Sequence, residues 1–259
     1  MTDLSLEIWW EPRAPSQADD ARRLSRFVTG LPDFDPIYRS WLEAPTSRED
    51  WLKLPTCRKE TARVPLNEAE AKQLLIDNKA RYNFPNWPQS EHGSTIGGAH
   101  AGPSPYDLRK SSFADTHCHI GAFGQFAPIR NHIFMRLSKL RPATGRPWRA
   151  SELRPLMKFA RDVWKPTEMG VVFSFHKAPM IPDPAWAGRK RFLRPVIGWI
   201  TYLPPDLASR AKYPPDVEVE SFEDGAVLVT LCEEPFERGA AEGMARLHAL
   251  EAALRPIQT

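Results

Sequence analysis

The sequence predicts an α+β fold, a single domain over residues 1–259 in which helices pack on a mainly antiparallel sheet. Three observations lead there. Segments with strand character gather mostly in the second half, and only some are separated by helical patterns, unlike the regular alternation of a doubly wound parallel sheet. The last two strands are joined through "EDG" at residues 223–225, a hairpin signal. Twenty-six prolines against fourteen glycines favour many short elements joined by stiff turns. A chain of 259 residues, 42% hydrophobic and 26% charged, is long enough to bury one sizeable core, and it carries no internal repeat.

The elements follow in order. Leu4, Leu6, Ile8 and Trp10 recur at alternate positions, as in a half-buried strand. Ser16 with Asp19 is a helix start, and Ala21, Leu24, Phe27, Val28 and Leu31 then recur at helical spacing. Asn67 with Glu70 repeats that start, with Leu74 and Leu75 on the apolar face of a helix ending near Tyr82. Residues 83–112, poor in large apolar side chains and rich in Gly, Pro, Ser and His, are expected to form a long surface loop. Phe113 to Phe123 and Asn131 to Leu140 have strand character and flank "GQFAP". Ser151 is expected to cap a helix carrying Leu153, Leu156, Met157, Ala160 and Trp164, with Pro155 in its first turn. Strands are expected over Met169–His176, Val196–Leu203, Val217–Phe222 and Ala226–Cys232, before an amphipathic helix from about Arg238 to Leu254.

Composition excludes some classes of function. A net charge of +3 does not mark a nucleic-acid binder, and no apolar run is long enough to span a bilayer. Cys57, Cys118 and Cys232 form no C-x-x-C pair and are read as reduced thiols. The opening "MTDLSLEIWWEPR" has neither the basic start nor the apolar stretch of a signal peptide, so the cytoplasm is the expected compartment.

One motif suggests catalysis. In "DTHCH", residues 115–119, period-2 alternation puts His117 and His119 on one face of a strand, where two imidazoles could share zinc. The string resembles the first-strand signature of the amidohydrolase barrels, which implies a small metal-dependent hydrolase. Only 140 residues follow His119, however, too few for an eight-stranded barrel of about 250 residues. Among His92, His100, His132 and His176 no spacing singles out further ligands, so no metal, cofactor or catalytic residue is assigned.

The charge map is more telling. Between Asp216 and Glu237 there are eight acids and no Lys or Arg, whereas Arg130 to Lys165 holds ten basic residues against Glu152 and Asp162. An electrically polar molecule is expected. Val217 and Val219 alternate with Glu218 and Glu220, so the valines are expected to face the core and the glutamates to form an outward stripe. Such a stripe either keeps an edge strand from pairing with other chains or meets a basic partner cleft.

"VWKPTEMG" at Val163–Gly170, "GWITYLPPDL" at Gly198–Leu207 and the turn at Asp224-Gly225 resemble the immunity protein 52 family of bacterial polymorphic toxin systems. The resemblance is strongest over Val163 to Phe236, with support from "LEIWWEPR" and "DPIYRSWLEA". It implies a compact α+β protein, not an enzyme, encoded beside a toxin. Such toxins are commonly nucleases of the restriction-endonuclease fold, many delivered by type VI secretion. The implied partner is that cognate toxin, without direct nucleic-acid or membrane binding. Trp164, Pro166, Gly170, Gly198, Trp199, Thr201 and Tyr202 then read as family scaffold. The acids Glu218, Glu220, Glu223, Asp224, Glu233 and Glu234 read as candidate toxin contacts.

Overall fold

The computed structural model describes residues 3–10, 17–42, 60–78, 94–101, 113–120, 131–137, 140–176, 181–182, 192–193 and 196–257. The strands are β1 (Leu4–Trp10), β2 (Ser40–Leu42), β3 (Glu60–Arg63), β4 (Ser94–Ala101), β5 (Phe113–Ile120), β6 (Asn131–Leu137), β7 (Glu168–Phe173), β8 (Ile181–Pro182), β9 (Phe192–Leu193), β10 (Ile200–Leu203), β11 (Glu218–Ser221) and β12 (Val227–Thr230). The helices are α1 (Gln17–Gly30), α2 (Glu68–Asp77), α3 (Ala150–Trp164), the single turn α4 (Pro205–Ala208) and α5 (Ala241–Leu254). Ten strands make one antiparallel sheet in the order β11-β12-β10-β7-β1-β6-β5-β4-β2-β3, and β8 pairs with β9. The fold is α+β, as the patterning predicts.

The sheet is centred on β1. Leu6, Ile8 and Trp10 are almost wholly removed from water, while Glu7 and Trp9, pointing to the opposite face, are half-buried. Register places Leu6 opposite Met135 and Val171, and Ile8 opposite Ile133 and Met169, so three strands present one apolar face. Each such side chain contributes about 1.5–3 kcal/mol by burial. Helices α1 and α3 close over it: Trp10 stacks on Trp164 at 4.7 Å, and Phe27 meets the same indole edge-on at 5.7 Å. No helix among the described residues is long and apolar enough to cross a membrane.

Several boundaries differ from expectation for identifiable reasons. Ser16 lies outside the described residues, as do "GQFAP" and most of the expected loop. Residues 94–101 within that loop are instead strand β4, paired along its length with β5. Its glycine is a packing requirement: a Cβ on Gly98 would sit 2.5 Å from the Trp41 ring. His100, fully buried on the same side, shares a hydrogen bond of 3.0 Å with Thr116 and lies edge-on to Tyr38 and Trp41. A Gly- and His-bearing segment lies here beneath aromatic rings.

Helix α2 has the expected capping box, the Glu70 N–H donating to Asn67 and the Asn67 N–H to Glu70, each at 2.9 Å. It ends at Asp77, with Asn78 as C-cap and its side-chain amide donating to Leu74 O at 2.9 Å, and Tyr82 lies outside the described residues. At α3 the cap is Arg149, not Ser151, and Pro155 is the sixth helical residue rather than part of the first turn. The Arg149 N–H donates to Glu152 Oε2 at 3.0 Å. Arg141 and Arg146 each donate to Glu152 Oε1 at 2.7 Å, and Arg141 reaches on to the fully buried Asp35 at 3.4 Å. Burial would raise the Glu152 carboxyl, but these donors outweigh it and hold it below the ordinary carboxylate range.

The remaining elements are shorter than their patterns. β10 begins at Ile200, preceded by an irregular stretch through Gly198, and α5 begins at Ala241. The hairpin turn is as expected, with Gly225 at φ 85° and its N–H donating to Phe222 O at 3.0 Å.

Candidate functional site

The acidic segment and the basic segment meet. β11 is the outermost strand of the sheet, and its register sets Glu218 opposite Thr230 and Glu220 opposite Leu228. On α3, Arg154, Lys158 and Arg161 fall at i, i+4 and i+7, one stripe along the helix. Arg154 donates to Glu218, Lys158 to Glu220 and Arg161 to Asp224. The expected orientation holds only in part: Val217 packs against the core, but Val219 is 38% exposed and both glutamates reach helix cations. Alternation tells two faces of a strand apart without saying which one a helix covers.

The other three acids divide. The Glu233 carboxylate accepts from Ser151 Oγ and, at 3.3 Å, from the Ser151 N–H, while the Glu233 carbonyl accepts from the Ala150 N–H at 2.9 Å. A carboxylate from beyond β12 thus serves the first turn of α3, where the helix dipole favours negative charge. Glu234 approaches Arg149 at 3.5 Å with its side chain 71% exposed. Glu223, exposed at the turn, has no ion-pair partner among the described residues. Arg161 also lies over the Phe222 ring at 4.1 Å. The Ala226 N–H first, and Arg161 with it, hold the Asp224 carboxyl below its ordinary range. Four of these six carboxylates thus pair with four cations, so part of the expected polarity is cancelled inside the molecule.

The motif residues gather where α3, β7 and β10 join. Trp164 is fully buried, and the helix ends one residue later at Lys165, at φ 46°, with Pro166 unable to continue it. Gly170 and Gly198 allow two backbones to touch: a Cβ on Gly198 would lie 2.3 Å from Val171 O, and one on Gly170 2.9 Å from Ile200 O. Thr201 Oγ1 accepts from the Gly198 N–H at 3.1 Å, Trp199 Nε1 donates to Cys232 O at 2.7 Å, and Tyr202 is buried beside Arg161.

"DTHCH" occupies β5 with His119 opposite His132. His132 stacks on Trp9 at 4.6 Å and faces His117 at 5.7 Å and His119 at 5.8 Å, with near-parallel rings. Burial first, then His132 and His117, push His119 down to about 4, so it is neutral near pH 7. No trio of ligand atoms from this strand reaches metal-binding spacing among the described residues. On the opposite side of β5 the Cys118 thiol is pushed up to about 12 by burial, and neither Cys118 nor Cys232 is in a disulfide.

The family described as Immunity protein 52 matches residues 6–254. No curated protein matches the chain.

Proposed function

The chain belongs to the immunity protein 52 family, and from that premise we propose that it binds one cognate toxin and neutralises it. The match over nearly the whole chain, not a local motif, carries this reading. Immunity is a binding task, which needs a surface specific to one partner rather than a catalytic centre. The toxin is read as a nuclease with a basic substrate cleft, delivered by type VI secretion, and the chain would act in the cytoplasm.

The edge at β11 is the proposed docking surface. Val219 supplies an exposed apolar centre, and Glu223 and Glu234 supply outward negative charge around it. Glu218, Glu220, Asp224 and Glu233 are held in place by α3, so the surface is ordered before the partner arrives. Purified chain and the toxin encoded beside it are expected to run as a one-to-one complex on size-exclusion chromatography. Glu223→Lys with Glu234→Lys should slow association roughly tenfold at low salt and flatten its salt dependence. Unchanged kinetics would move the docking surface elsewhere, and absence of a complex would overturn the reading.

A further inference from the structure

We propose that His176, His248 and Glu251 form a zinc-type divalent metal site that ties helix α5 to the end of β7. One ligand atom from each lies within 4.8 Å of the other two. His248 and Glu251 are three residues apart on α5 and so share a helix face. His176 comes from the turn after β7, fixed by its own N–H donating to Phe173 O at 3.0 Å. Two elements distant in sequence thus deliver two imidazoles and one carboxylate, a donor set that zinc uses with a fourth position left open.

The geometry is close to ready. His176 Nε2 and Glu251 Oε1 are 2.9 Å apart, and each side chain is only 10% exposed, so half of the site is already assembled and desolvated. Donors about 2.0–2.2 Å from a tetrahedral ion stand roughly 3.4 Å from one another. His248 is exposed, with its ring centroid 6.3 Å from that of His176, and a rotation of this unburied ring closes the set. A simple His176–Glu251 hydrogen bond would make no use of His248, and that difference defines the test.

Chelator-stripped protein is titrated with zinc by calorimetry and with cobalt(II) by visible absorption. The site predicts one equivalent of each, cobalt d–d bands in the visible, and a rise in Tm on zinc addition. All three are expected to be lost in His248→Ala and in Glu251→Gln. Because His248 is exposed, His248→Ala should melt with the parent when chelator is present, which separates loss of metal from loss of fold. No binding by the parent would overturn the proposal. So would binding retained in His248→Ala, or binding abolished by His117→Ala with His119→Ala instead.

Discussion

His119 shows how a single side chain couples the sheet to pH. In the fold it takes up a proton only near pH 4, whereas an unfolded histidine does so near 6.5, so between these values the unfolded chain binds more protons. Its contribution to stability is therefore complete above about pH 6.5 and is lost as pH falls toward 4. His119→Gln should flatten that part of the profile, measured as urea midpoints at half-unit pH steps; parallel profiles for variant and parent would refute it. The string "DTHCH" made the shared face of His117 and His119 legible. It could not show that His132 and Trp9 complete the stack, because strand adjacency is set by long-range register. Gly198 was legible as family scaffold, and the structure supplies its contact, the Val171 carbonyl. Gly198→Ala, driving a methyl against Val171 O, is expected to cost about 3 kcal/mol in chemical denaturation, and a loss under 1 kcal/mol would contradict this packing.

Among the elements, α3 and the β11–β12 hairpin depend on each other. Strong local signals revealed both: apolar residues at helical spacing in one and Asp-Gly turn chemistry in the other. Their pairing was hidden, although the two charge runs were visible, since each run read alone is a solvated face. The capping of α3 was missed for the same reason, because Ser151 bonds Glu233, some 82 residues away, instead of closing the helix end by itself. β4 was lost because composition resembling a loop also suits a strand beneath Trp41. Removing Arg161 tests the α3 contact, since it deletes the stack on Phe222 and the pair with Asp224 together. Arg161→Ala should cost about 1 kcal/mol, and its coupling to Asp224→Ala in a double-mutant cycle should be a few tenths and shrink with added salt, as the pair is half-exposed. Coupling indifferent to salt would show that the contact is not electrostatic.

For the whole molecule, composition and the order of patterned segments along the chain were sufficient for an α+β fold, and the scaffold residues Trp164, Gly170, Gly198 and Trp199 lie at one junction of α3, β7 and β10. The family match reaches residues 6–254, well beyond the Val163–Phe236 stretch where the resemblance is strongest. A signature built from buried tryptophans and touching backbones identifies the fold because few sequences can satisfy it. On the proposed docking surface partner choice would rest with exposed residues such as Val219, Glu223 and Glu234, where packing imposes no pattern to read. The most direct test of the immunity assignment is the activity of the toxin encoded beside this gene, assayed as a nuclease with magnesium while the purified chain is titrated in. Immunity by direct binding predicts that activity disappears at about one equivalent; full activity at large excess would contradict it.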